Sequence, residues 1–87
     1  MPIVYIPAAL RGMAGGTSSI EVTGATVRQV VDNLELALPG IRDRLLSQEK
    51  LRPGIRVAVD GRMSSLGLLE RIAPSSEIHF LAAIGGG

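Results

Sequence analysis

Thr26-Val27-Arg28-Gln29-Val30-Val31-Asp32-Asn33-Leu34-Glu35-Leu36-Ala37-Leu38-Pro39-Gly40 is the stretch whose reading decides the fold. Thr26 and Gln29 stand in the capping-box relation, in which a hydroxyl and an amide satisfy backbone N–H groups that the first helical turn leaves orphaned. Val27, Val30, Val31, Leu34 and Leu38 then recur at helical spacing, while Arg28, Asp32 and Glu35 fall on the other side. Pro39-Gly40 stops the pattern. The reading is one helix from Thr26 to Leu38 with a single apolar face, and that face needs a sheet to bury it.

Strands read on both sides of the helix. Upstream, Ile3 to Ala8 is rich in β-forming residues, with Pro7 marking a bend or an edge. Arg11 to Gly16 reads as a turn, and Thr17 to Val22 alternates as a second strand. Downstream, Ile41 to Leu46 reads as a short helical turn and Gln48 to Gly54 as a polar loop. Ile55, Val57 and Val59 alternate with Arg56 and Ala58 and run into Asp60-Gly61, a short-hairpin signal. A short strand from Met63, a turn around Leu68 to Ile72, a loop at Ala73 to Ser76 and a last strand at Glu77 to Ala82 complete the chain. The order is close to ββαββ with a final strand. This is an α+β fold of four or five strands in which the helix covers one sheet face. The other face has no second layer in this chain, which makes it the expected place for a partner.

Composition narrows the function classes. Of 87 residues, 46% are hydrophobic, so a modest single core is affordable in size, but there is one Phe, one Tyr and no Trp to build it. The core must come from Val, Ile, Leu and Ala. With no cysteine there is no disulfide framework, thiol nucleophile or Cys-based zinc site. Nine basic against eight acidic residues give no electrostatic footprint for nucleic acid or a membrane surface. No apolar run reaches the roughly 20 residues of a membrane span, and the first residues lack a basic signal-peptide region. The expected setting is the cytoplasm.

Catalytic chemistry finds little support. The single histidine, His79, has no second imidazole or thiol near it in sequence, and no set of donors falls at metal-ligand spacing. It reads as a surface strand residue. Gly12-Met13-Ala14-Gly15-Gly16-Thr17-Ser18 superficially suggests a phosphate loop, but it lacks the lysine and sits in a hairpin rather than between strand and helix. The ending Ala82-Ala83-Ile84-Gly85-Gly86-Gly87 is more informative. Glycine brings no side chain to bury and loses the most entropy on ordering, so three in a row are either inert or meant to thread a narrow space. About five residues beyond the last strand reach roughly 15–18 Å when extended.

Taken together, the sequence resembles the ubiquitin-like sulfur carriers of the MoaD/ThiS family. The resemblance covers essentially the whole chain. It lies in Ile6-Pro7-Ala8-Ala9-Leu10-Arg11, Gly15-Gly16, Asp32-Asn33-Leu34-Glu35, Gly40-Ile41 through Arg44-Leu45, Val57-Ala58-Val59-Asp60-Gly61 and the glycine ending. These features look closest to the CysO-type subgroup, which supplies sulfur for cysteine biosynthesis. Gly85 stands where relatives usually have Ala or Thr.

The resemblance implies a β-grasp domain over residues 1–83 and a flexible glycine tail over residues 84–87. It implies a protein co-substrate rather than an enzyme. An E1-like adenylating enzyme would use ATP to activate the carboxylate of Gly87, and a sulfur donor would convert it to a thiocarboxylate. Gly85, Gly86 and Gly87 are then the sulfur-carrying end, with no intrinsic cofactor and no metal. A sulfur-accepting enzyme, of the cysteine synthase or molybdopterin synthase large-subunit type, would be the second partner. β-Grasp topology would place the first and third strands beside the last. A small core with a single Phe is expected to use it, so Phe80 is assigned inward; alternation then sets Leu81 and His79 on the uncovered face, with Tyr5 and Arg56 flanking them if the first strand buries Val4 and Ile6. Arg11 matches an arginine that the family uses to bind its activating enzyme. Two other readings stay open: a modifier conjugated through Gly87 to lysines, and a β-grasp interaction domain whose glycines are inert.

Overall fold

The computed structural model describes residues 1–82. The expectations placed on Ala83 and on the tail of Ile84, Gly85, Gly86 and Gly87 lie outside the described residues.

Helix α1 runs Val27–Ala37 with Thr26 as its N-cap. The Gln29 N–H donates to Thr26 Oγ1 at 3.3 Å, and Gln29 Oε1 accepts the N–H of Ala25 at 2.8 Å. The amide thus reaches one residue further upstream than the usual capping box. Val27, Val30, Val31 and Leu34 are each fully buried. The helix ends one residue earlier than its periodicity suggests: Leu38 is the C-cap and is half-buried against the core.

Just before the cap, the chain passes so close to α1 that a side chain has no room. A Cβ on Gly24 would lie 2.8 Å from Val30 Cγ2 and 2.9 Å from the Val30 backbone nitrogen, and φ there is +154°. The backbone atom cannot yield without unwinding the first helical turn. Gly24→Ala should therefore destabilise the domain by roughly 1–3 kcal/mol, the usual range for overpacking. An unchanged urea midpoint would show that this turn relaxes freely.

A second helix, α2 (Ile41–Leu45), follows Gly40, whose φ is +99°. Its orphan N–H groups are satisfied from the preceding helix: the Glu35 carboxylate accepts from the N–H of Gly40 and of Arg42, each at 2.9 Å. Those two bonds, with the Arg42 charge, hold the Glu35 carboxyl below its ordinary pKa. Ile41 and Leu45 are buried, as the short helical turn required.

Two loops turned out to be structured. After β1 (Ile3–Tyr5), shorter than the Ile3–Ala8 strand expected, Ala8–Ala14 form a 3₁₀ turn closed by Gly15 at φ +64°. Leu10 and Met13 from this turn pack on the core, which an open loop would not achieve. The expected polar loop after α2 contains a small hairpin, β3 (Leu46–Ser47) with β4 (Lys50–Leu51). Its tip residues Gln48 and Glu49 have φ of +52° and +65°, a conformation normally left to Gly or Asn. Glu49 is fastened there by Arg28 of α1 and by Arg42 of α2, the latter at 3.2 Å, and Arg42 also pairs with Asp32 at 3.1 Å.

The remaining strands are β2 (Ser19–Glu21), β5 (Ile55–Val59), β6 (Arg62–Met63) and β7 (Glu77–Ala82). They join β1 in a mixed sheet of order β2-β1-β7-β5-β6, with β7 central, parallel to β1 and antiparallel to β5. Val4 and Ile6, Val57 and Val59, and Ile78 and Phe80 supply the face against α1. Phe80 is 2% exposed, so the single phenylalanine does turn inward.

Asp60 pins the β5–β6 turn to the start of β7. Its carboxylate accepts the Glu77 N–H and the Ser76 hydroxyl, both at 2.9 Å. The bond from Glu77, then that from Ser76, lowers its pKa. A depressed folded-state pKa contributes stability that is present above the unfolded value and lost as pH falls through the folded one. Glu35 and Glu49 are shifted in the same direction. The urea midpoint should therefore fall as pH drops through and below about 4, the ordinary carboxylate range. Asp60→Asn should flatten part of that dependence; an identical pH profile in the variant would remove Asp60 from the account.

Candidate functional site

The sheet face away from α1 is built by the alternate residues of the strands that bury the core. Register fixes its layout. Tyr5 lies opposite His79 across the parallel β1–β7 pair, and Ala58 lies opposite His79 on the other side. Arg56 lies opposite Leu81. The Asp60-Gly61 turn, with φ of +52° and +83°, sets β6 so that Met63 lies opposite Ala58. Two rows result: Tyr5, His79, Ala58 and Met63 in one, and Leu81 with Arg56 in the next.

The Tyr5 and His79 rings stack with centroids 4.2 Å apart and planes 1° from parallel. Leu81 is 44% exposed and Met63 is 52% exposed. Arg56 and Arg11 are also exposed. Arg11 comes from the 3₁₀ turn, where its Nε donates to the Ile6 carbonyl oxygen at 3.1 Å. That bond tethers the guanidinium to the end of the first strand segment. Arg11, Tyr5, His79 and Leu81 line one shallow depression with Pro7, Ala8 and Ala9.

The five residues singled out for partner binding thus fall on one surface: four line the depression, and Arg56 adjoins it through Leu81. Met63 was not among them. Its signal was legible, since a two-residue turn after Val59 forces Met63 to face the same way as Ala58 and His79. Gly85, Gly86 and Gly87 lie outside the described residues, but the strand that leads to them is β7, which also carries His79 and Leu81.

Chemically, the face offers an apolar centre, an aromatic stack and two guanidinium groups at its margin. Such a surface suits docking, with Leu81 as an anchor and the arginines for orientation. Among the described residues no group of three or more His, Asp or Glu could hold a metal ion, and no helix is long and apolar enough to cross a membrane.

Comparison with known proteins bears on the whole chain. The ThiS family matches residues 4–87. The sulfur carrier protein CysO of Mycobacterium tuberculosis is 36% identical over 97% of this chain and 96% of its own length. A chain in the crystal structure of the Amycolatopsis orientalis BexX/CysO complex superposes with a TM-score of 0.93 at 35% identity, covering 100% of both. The small archaeal modifier protein 1 of Methanosarcina acetivorans superposes at 0.85 over 99% of this chain and 95% of its own. At 24% identity that last likeness shows the ubiquitin-like β-grasp fold alone. A family match across nearly the full length, on a fold that places one sheet face and one strand end together, has one reading: the chain belongs to the ThiS family, as a CysO-like sulfur carrier and a non-catalytic protein.

Proposed function

We propose that Gly87 is the working end of the carrier and that it is loaded in two steps. In the first, the carboxylate attacks the α-phosphate of ATP on an E1-like adenylating enzyme, releasing pyrophosphate and leaving an acyl adenylate. In the second, a sulfide-level donor attacks the carbonyl carbon and AMP departs, so that one carboxylate oxygen is replaced by sulfur. A carboxylate is a poor electrophile, and the adenylate supplies the leaving group it lacks. Gly87 places no Cβ beside the reacting carbon, which leaves the line of attack open. ATP serves the partner; the carrier itself needs no cofactor. The thiocarboxylate then donates sulfur to a biosynthetic acceptor enzyme, of the cysteine synthase or molybdopterin synthase large-subunit type, in the cytoplasm.

The observation that carries this reading is the family match, which runs through Gly87 and not only across the folded domain. The relative in the BexX/CysO complex is found with a protein partner. For this chain we assign the partner-facing role to the open sheet face, chiefly to Leu81 and Arg11, with Tyr5, Arg56 and His79 around them. Leu81→Asp should leave the unfolding midpoint nearly unchanged, because the residue is already exposed. It should weaken docking, because a carboxylate buried at an apolar contact is desolvated without compensation. Adenylation rates at limiting carrier would report this; equal rates for variant and wild type would dismiss the face.

The test of the function itself is mass spectrometry after incubation with an adenylating enzyme, ATP and sulfide. The expected product is heavier by one oxygen-to-sulfur exchange, mapped to Gly87. A lysine adduct on another protein in place of that exchange would favour the modifier reading.

A further inference from the structure

The end of β7 opens onto a second surface that the open face does not include. Ala82 pairs with Ile55, and Ile55 with Pro7, Ala9 and Leu10 floors a groove whose sides are Arg44 and Arg52. Leu10 and Ile55 are themselves packed against the core, so the floor is apolar and anchored.

The two arginines differ from the others nearby. Arg28 and Arg42 are neutralised by Glu49 and Asp32. Neither Arg44 nor Arg52 has an ion pair among the described residues, and the carboxylate of the adjacent Asp43 pairs with neither. Arg52 is nevertheless fixed in place. Its Nε donates to the Asp43 carbonyl oxygen at 2.8 Å, and its backbone N–H donates to the Leu45 carbonyl at 2.9 Å. Its terminal nitrogens stay available for a planar, two-pronged acceptor, and both arginines are exposed. A guanidinium already tethered loses less freedom on pairing with a carboxylate.

We propose that this groove docks an acidic segment of the enzyme that adenylates the tail, an Asp or Glu side chain seated between Arg44 and Arg52 with an apolar neighbour on the floor. The inference rests on the carrier reading above and names a second contact for the same partner. Charge complementarity selects a carboxylate. Continuity selects the same partner: Pro7 and Ala9 line both this groove and the depression on the open face, so one docked surface spans the two. Because the groove adjoins Ala82, docking there fixes the point from which the tail departs.

The experiment is steady-state thiocarboxylation at Gly87, with the purified adenylating enzyme, ATP and sulfide, comparing wild type with Arg44→Glu and Arg44→Lys. The Arg44 side chain is exposed and makes no hydrogen bond or ion pair among the described residues, so its replacement does not threaten the fold. Arg44→Glu should raise the KM for the carrier roughly tenfold at low salt with kcat retained, as expected for lost electrostatic steering and pairing. The defect should shrink at high salt, where exposed charges are screened, and Arg44→Lys should recover most of the loss. An unchanged KM in Arg44→Glu, with wild type loaded normally, overturns the groove and leaves the carrier reading intact. A KM defect that is the same at high salt or in Arg44→Lys also overturns it. A wild-type chain that gains no sulfur overturns the carrier reading and this inference with it.

Discussion

Deletion of Gly87 should stop sulfur loading while leaving the urea midpoint where it is. The two halves of that result have separate causes. The core that holds the domain together lies between Val4 and Phe80, and a glycine has no side chain to add to it. Stability is therefore indifferent to the last residue. Activation is not, because removing one residue moves the reacting carboxylate back by roughly 3.5 Å. A misplacement of about 1 Å can cost on the order of a hundredfold in rate when reacting groups must be aligned. The shift here is larger, so loading should fall by at least that factor. Mass spectrometry at matched times gives the comparison. Equal loading of the shortened chain would mean that the glycines are not the working end.

This separation is possible because of how β7 is placed. It is the central strand of the sheet, flanked by β1 and β5. Its inward residues, Ile78 and Phe80, sit in the core, while His79 and Leu81 point to the open face. The same strand then leads directly to the tail. A partner held on that face, as proposed above, would be registered to Gly87 through the central strand of the sheet, with the fold setting its reach up to Ala82.

Much of this was legible in the sequence, for reasons that can be named. The Thr26 cap and the five-residue apolar stripe are local signals, and local signals survive into the structure. The alternation in Glu77 to Ala82 put Phe80 and Leu81 on opposite faces, since a strand has a period of two, and the lone phenylalanine of a small core decided which face was inward. What escaped was structure stabilised from a distance. Gln48-Glu49 contains no glycine or asparagine, yet both residues adopt left-handed φ. The compensation comes from Arg28 and Arg42, 21 and 7 residues away in sequence, which pair with Glu49. Nothing within the loop itself announces that. Likewise the sequence shows only a strand to Ala8 and a turn from Arg11 where the 3₁₀ segment Ala8–Ala14 forms, because its two anchoring residues, Leu10 and Met13, find their partners only in the tertiary fold. The arginines of the second groove were missed for the same reason: Arg44 and Arg52 become neighbours of Ile55 and Pro7 only once the sheet is assembled.

Leu34→Ala should be the most damaging single truncation on α1, and Leu36→Ala supplies its control. The two leucines are two residues apart on one helix, so they share the helix backbone and the same helix propensity. Leu34 is 0% exposed and Leu36 is 81% exposed. Alanine is the better helix former, so neither substitution weakens the helix as a helix. Any loss at Leu34 must then come from burial: the transfer energy of the deleted methyl groups and the cavity left between α1 and the sheet. Such truncations cost about 2–5 kcal/mol. Total stabilities of small domains are about 5–15 kcal/mol, so the loss is a large fraction of the whole. In a domain of this size each kcal/mol lowers the melting temperature by roughly 4–8 °C, which makes the effect visible in a simple thermal scan. Leu36→Ala should move it by less than about 0.5 kcal/mol, the ordinary range for surface substitutions. If both variants melt together, whether high or low, the helix is not seated on the sheet by its Val27-Val30-Val31-Leu34 face, and the layer arrangement on which the open face depends is wrong.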